Sequence, residues 1–297
     1  MSDKATRLRQ LFIFLCCWFG GTVLSIILVQ LVAKGLGIGD FGNLISKIIV
    51  GEYLEHINNI KIISIISHLA AYSIPAIVFA NIISGKNFHR FLKLAKNPGW
   101  VNIPLIIVAI FAIYPTALWI AYLNIQLLPA NMIAEDTLIF QQRLMQMNNP
   151  SDLMLNILLV GFVASIGEEL LFRGIIQRFF ARYSNNLHLA IWATALLFSL
   201  THFQPEGFIP RFLMGALLGY FFVWTGSLWA SILAHFCFNS MQVLIFYFFV
   251  DSKKIASIYQ KPDFSLLLSI ILTGIFIFAC YILWKINRDR QLKIDFD

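Results

Sequence analysis

Long apolar runs, separated by short polar segments, follow one another along the whole chain. Most of these runs are close to the ~20 residues that an α-helix needs to cross ~30 Å of hydrocarbon. The runs cover residues 11–33, 62–84, 101–125, 153–182, 188–203, 209–225, 227–249 and 264–284. Because a spanning segment must satisfy its own backbone hydrogen bonds, the pattern predicts an all-α, polytopic membrane bundle of about eight transmembrane helices.

The composition supports this interpretation. Hydrophobic residues make up 59% of the 297 positions, charged residues make up 12%, and the mean hydropathy is +0.77. These values are far from those of a soluble globular domain. Since no long soluble segment interrupts the apolar runs, residues 1–297 are predicted to form a single integral membrane domain.

Lysine and arginine are unevenly distributed among the segments that connect the apolar runs. They are concentrated at the N-terminus, between the second and third runs and at the C-terminus, where Arg7, Lys86 and Arg288 are examples. Under the positive-inside rule, this distribution predicts that both termini are cytoplasmic. The net charge of +7 then reflects topology and attraction to the lipid bilayer, and no nucleic-acid partner is expected.

Four polar patterns lie inside the apolar runs, where ionisable side chains are rare and usually functional. These patterns are Glu168-Glu169-Leu-Leu-Phe-Arg173, Phe198-Ser-Leu-Thr-His202, His235-Phe-Cys-Phe-Asn239 and a lone His68. Taken by itself, the lone histidine is interpreted as a hydrogen-bonded core residue rather than as part of a site.

Helix geometry distinguishes the two adjacent glutamates. Glu169 and Arg173 are four residues apart and can pair on one helical face, whereas Glu168 is rotated by ~100° from Glu169. Glu168 is therefore predicted to be an acid without a close partner, in the desolvated surroundings that suit a general base. The competing interpretation is a buried Glu–Arg bridge that only ties helices together, which leaves the second acid unexplained.

His235 and Asn239 are also four residues apart and present two hydrogen-bond donors on one helical face. Such a pair can stabilise the oxyanion of an amide under hydrolysis, or it can bond to neighbouring helices. Counted from the turn near residues 184–187, Glu168 and His202 lie at one level of two antiparallel helices, with His235 on the same side. The patterns are thus predicted to meet in the cytoplasmic half of the bilayer.

The motifs EExxxR, FxxxH and HxxxN, in this order on successive membrane helices, resemble the CPBP family. This family comprises the CAAX-protease and bacteriocin-processing (Abi) intramembrane endopeptidases and includes the type II CAAX prenyl endopeptidases. The resemblance covers residues 150–250, which we expect to form the catalytic core. It implies that Glu168 and His202 activate a water molecule and that His235 and Asn239 stabilise the oxyanion. The remaining motif residues have supporting roles: Glu169, Arg173 and Phe198.

The sequence therefore favours an intramembrane endopeptidase that uses activated water and requires no cofactor. The expected partners are the lipid bilayer and a peptide or protein substrate, and CAAX-type processing of a lipidated protein is one form of this reaction. One alternative is a zinc-dependent protease with Glu168, His202 and His235 as ligands, although the HExxH spacing is absent. Two further alternatives are a non-catalytic membrane immunity or scaffold protein and a transporter that relays protons.

Overall fold

The computed structural model describes residues 3–37, 41–52, 54–133, 135–249, 261–262 and 265–290. Within this part of the chain, seven helices are long and apolar enough to cross a membrane. These seven spans are Ala5–Gly35, Leu54–Phe91, Asn102–Leu127, Pro150–Ser184, Pro205–Thr225, Leu228–Phe249 and Leu266–Ile286. The predicted all-α membrane bundle is confirmed.

The fifth apolar run is shorter than predicted. Of residues 188–203, only the part within Leu187–Leu200 is helical, and this helix has 14 residues. Its length of ~21 Å is less than the thickness of the hydrocarbon core. The expected set of about eight spanning helices is therefore seven long spans and one short apolar helix, and His202 lies in the turn after that helix.

The spans combine α-helical and π-helical segments. The α-helices are α1 (Asp3–Gly35), α2 (Phe41–Ile49), α3 (Ile57–His68), α4 (Ile74–Ser84), α5 (Phe88–Phe91), α6 (Asn102–Leu127), α7 (Glu135–Leu144), α8 (Pro150–Asn156), α9 (Ala164–Leu171), α10 (Gln177–Ser184), α11 (Leu187–Leu200), α12 (Phe208–Thr225), α13 (Leu228–Phe249) and α14 (Leu266–Ile286). The π-helical segments among the described residues are Leu69–Ser73, Ile157–Val163 and Phe172–Ile176. π-Helical turns are rare and frequently occur at functional sites.

The span that carries both glutamates lies at the centre of the bundle. Every residue from 167 to 179 is buried, and α9 packs against α13, α4 and the π-helical segment Leu69–Ser73. In contrast, α1 and α14 expose large apolar side chains such as Phe19 and Phe278, as expected for helices that face lipid. The polar residues of the central span are thus enclosed by other helices.

Two glycines allow α12 to pack closely against its neighbours. A Cβ atom at Gly215 would lie 3.2 Å from Cα of Ala195 and 3.2 Å from Cδ1 of Phe198, and one at Gly219 would lie 2.7 Å from Oε1 of Gln177. Small residues spaced by four are typical of membrane helices that approach one another closely. This packing places α11, with Phe198, beside the central span. The single-domain assignment of residues 1–297 and the cytoplasmic location of both termini stay predictions.

Candidate active site

Glu169 and Arg173 form a buried ion pair, as their spacing predicts. Nη1 of Arg173 donates to Oε1 of Glu169 at 2.6 Å, and both side chains are 0% exposed. Nη2 of Arg173 donates to the carbonyl oxygen of Gly215 at 2.8 Å, and the guanidinium carbon lies 4.8 Å from the centre of the Phe198 ring. The pair therefore links the central span to both α12 and α11.

Glu168 has a close partner, so the prediction that it is the unpaired acid is wrong. Nε2 of His68 lies 3.2 Å from Oε1 of Glu168, within hydrogen-bonding distance. The other carboxylate oxygen, Oε2, lies 3.8 Å from Nε2 of His235. Helical rotation excludes only partners on the same helix, whereas His68 precedes Glu168 by 100 residues and belongs to the second span.

His235 contacts both glutamates. Its Nδ1 lies 2.9 Å from Oε1 of Glu169, and its Nε2 faces Glu168. Because an ionised carboxylate can only accept hydrogen bonds, Nδ1 carries the proton in this contact. Nε2 can therefore donate to a substrate only when the ring carries both protons.

His202 is oriented by the helix that precedes it. Its Nδ1 donates to the carbonyl oxygen of Phe198 at 2.8 Å, which leaves Nε2 of the neutral ring as an acceptor. The Phe198 ring lies edge-on to both imidazoles, with centroid distances of 5.0 Å to His202 and 6.0 Å to His235. Glu168 interacts electrostatically with both of these histidines. Phe198 thus contacts both of the imidazoles that interact with Glu168.

Asn239 directs its amide towards the central span. Its Nδ2 donates to the carbonyl oxygen of Val160 at 2.9 Å, and Val160 lies in the π-helical segment Ile157–Val163. A π-helical turn changes the bonding partner along the backbone, so a carbonyl can become available to a neighbouring side chain. One amide proton therefore bonds between helices, and a second proton on the same nitrogen remains as a donor.

The structure brings together Glu168 from α9, His235 from α13 and His202 from the turn after α11, with Asn239 one turn along α13 from His235. His68, which the sequence predicts to be a hydrogen-bonded core residue, joins this group through its contact with Glu168. It is the only acidic or basic side chain in the apolar run 62–84. That isolation was the signal that could have identified it, because an ionisable side chain inside a membrane is costly.

A zinc site formed by Glu168, His202 and His235 stays a prediction. Across the described ranges, no group of three or more His, Cys, Asp or Glu side chains is arranged to hold a metal ion. His235 bonds through Nδ1 to Glu169, a contact that histidines bound to a metal through Nε2 also make.

These features define the class of protein, an integral multi-pass membrane protein with an enclosed polar centre. Residues 150–241 match the family model described as type II CAAX prenyl endopeptidase Rce1-like. All three motifs lie inside this segment, which is similar to that family, and the predicted resemblance is confirmed.

One curated relative can also be compared. The uncharacterized protein YpbD of Bacillus subtilis (strain 168) is 29% identical over 90 residues, which cover 29% of this chain and 43% of that protein. The match thus spans less than half of the length of this relative. No solved structure matches the chain.

Proposed function

We propose that this chain is an intramembrane endopeptidase that hydrolyses a peptide bond with a water molecule activated by Glu168. The observation that carries the proposal is the buried Glu168 carboxylate, which is bordered by His68 and His235 and interacts with His202. The match of residues 150–241 to a family described as an endopeptidase supports a protease in general.

Glu168 and His202 are the groups assigned to water activation. Glu168 takes the proton of the attacking water, while Nε2 of His202 accepts a hydrogen bond from the same water because its Nδ1 donates to Phe198. The oxygen of the water then attacks the scissile carbonyl carbon without a covalent enzyme intermediate. When the tetrahedral intermediate collapses, Glu168 returns the proton to the leaving amine.

His235 and Asn239 are the groups assigned to the oxyanion. Asn239 offers the amide proton that is not bonded to Val160, and His235 offers Nε2–H. This second donor requires the doubly protonated ring, because Nδ1 donates to Glu169. Glu169 thus holds one proton of His235 while Arg173 holds Glu169 in place. Donors fixed in advance and shielded from water stabilise an oxyanion most effectively.

The proposed substrate is a peptide or protein that approaches from the membrane. The family description suggests CAAX-type processing of a lipidated protein. In the predicted topology, the site opens towards the cytoplasmic half of the bilayer, where water and a cytoplasmic C-terminal segment of a substrate are both available.

The decisive experiment compares the termini of membrane proteins and peptides in cells that express the wild type or Glu168→Gln. A substrate found in this way is then assayed with purified protein. We expect Glu168→Gln to lower kcat by at least about 10²-fold, the usual contribution of a general base. Glu55→Gln, which changes an exposed glutamate, is the matched control and should leave kcat unchanged.

Three outcomes would contradict this proposal. If folded Glu168→Gln cleaves the substrate at the wild-type rate, Glu168 does not activate water. If a chelator abolishes wild-type activity and zinc restores it, the zinc-dependent alternative is favoured. A biological role that persists in Glu168→Gln without any cleavage would favour the immunity or scaffold alternative.

A further inference from the structure

We infer that His68 is a positioning residue that orients the Glu168 carboxylate for water activation. The inference rests on the proposed function, because it concerns the same glutamate. His68 belongs to the second span, outside the segment 150–241 that matches the family model. The resemblance therefore assigns no role to His68, and the structural contacts alone carry the inference.

The His68 ring is held on two sides. Its Nε2 lies 3.2 Å from Oε1 of Glu168, and its face stacks on Tyr72 with a centroid distance of 4.4 Å and an interplanar angle of 15°. A stacked ring has little freedom to tilt, so its Nε2 stays directed at the carboxylate. The π-helical segment Leu69–Ser73 begins directly after His68 and contains Tyr72.

Gly167 creates the space that His68 occupies beside α9. A Cβ atom at position 167 would lie 2.9 Å from Cε1 of His68 and 2.9 Å from Oγ of Ser73. Such distances are too short for a real carbon contact. His68 therefore reaches Glu168 only because Gly167, the residue before Glu168, has no side chain. Gly167 and His68 thus form one fitted contact between two spans.

The contact decides which carboxylate oxygen remains available. His68 engages Oε1 of Glu168, and Oε2 is left facing His235 at 3.8 Å. A glutamate side chain has several rotamers, and a hydrogen bond from a fixed ring selects one of them. Since displacement of a reacting group by 1 Å can cost ~10²-fold in rate, loss of His68 should impair chemistry rather than substrate binding.

The test measures kcat and KM separately for purified full-length variants. For His68→Ala we expect kcat to fall by roughly 10²-fold with KM changed by less than about twofold, because an interaction needed for chemistry has been removed. His68→Gln, which retains an N–H donor, should recover part of kcat, and added imidazole should partly restore His68→Ala. The control is His188→Ala, which removes an exposed histidine bonded to Tyr220 and should not change kcat.

A second set of variants tests the fitted contact. Gly167→Ala should lower kcat because the new methyl group displaces the His68 ring. In the double variant Gly167→Ala/His68→Ala, the added loss should be much smaller, since the ring that was displaced is no longer present. If the two substitutions lower kcat independently, so that their effects multiply in the double variant, Gly167 does not provide the space for His68.

The outcomes separate this inference from the proposed function. Equal activity of wild type and Glu168→Gln would overturn the proposed function. Activity that depends on Glu168 but keeps its wild-type kcat in His68→Ala would overturn only the inference. Thermal unfolding tests the same contact without substrate. The shifts in unfolding temperature caused by His68→Ala and Glu168→Gln should not be additive, because the two side chains contact each other. Additive shifts would exclude the contact between His68 and Glu168.

Discussion

Arg173 is a fully buried charge whose neighbours compensate it from three directions. Glu169 supplies an ion pair, the Gly215 carbonyl accepts a second hydrogen bond, and the Phe198 ring lies under the guanidinium. Removing one partner of a buried pair leaves the other charge without compensation, which is far more costly than replacing both. At the scale of residues, Arg173 therefore supports the site in two ways: it stabilises the folded protein, and it holds Glu169 in place beside His235.

Arg173→Ala should lower the free energy of unfolding by about 3–5 kcal/mol, because Glu169 would remain buried without its cation. Arg173→Lys should lie between the alanine variant and wild type, since lysine keeps the charge but cannot reproduce the planar contacts to Gly215 and Phe198. Thermal unfolding of the detergent-solubilised protein measures both effects. Arg288→Ala at an exposed position is the control, and equal stability of the two alanine variants would refute this account.

The two amide protons of Asn239 have different roles in our proposal, so one variant should show two effects. Asn239→Ala should lower kcat by about 10²–10³-fold through loss of an oxyanion donor. It should also lower the free energy of unfolding by about 1 kcal/mol through loss of the bond to Val160. Kinetics and thermal unfolding measure the two effects separately. A loss of stability with unchanged kcat would assign Asn239 to helix packing alone.

At the scale of elements, α1 packs closely against the second span at Gly21. A Cβ atom at Gly21 would lie 2.1 Å from Cγ of Pro75 and 2.7 Å from the backbone oxygen of Ala70. Pro75 has no backbone N–H to donate, and it follows the π-helical segment Leu69–Ser73 by two residues. The contact thus holds the part of the second span that carries His68.

Gly21→Ala should destabilise the protein by about 1–3 kcal/mol, the usual effect of an overpacked contact. The adjacent position provides a matched control, because a Cβ atom at Gly20 would meet nothing within 4 Å. Gly20→Ala should be neutral or stabilise the helix slightly, since alanine favours the helix over glycine by up to about 1 kcal/mol. Similar unfolding temperatures of the two variants would show that α1 does not pack as described.

At the scale of the whole molecule, the distribution of basic residues predicts that both termini are cytoplasmic. Reporter domains fused to either end of the full-length chain test this topology. A reporter that is active only in the cytoplasm should be active at both ends, and one that is active only outside should be inactive. The opposite result at both ends would invert the bundle and place the proposed site in the other half of the bilayer.

Local features of this protein were predictable from the sequence. The lengths of seven of the eight apolar runs correctly indicate spanning helices because the hydrocarbon core has a defined thickness. The pairing of Glu169 with Arg173 follows from a spacing of four residues along one element. The three motifs also identified the Rce1-like segment, since their residue types and spacing do not depend on how the spans pack.

Contacts between distant spans were decided only by the tertiary structure. Glu168 meets His68 because Gly167 lets two spans approach, and Asn239 bonds to Val160 in a π-helical segment that no local pattern marks. The short helix α11 leaves His202 in a turn, where its Nδ1 bonds back to Phe198. Hydrophobicity alone shows that a segment spans the membrane but not how it is rotated about its axis, so the partners of a buried polar group depend on the packed bundle.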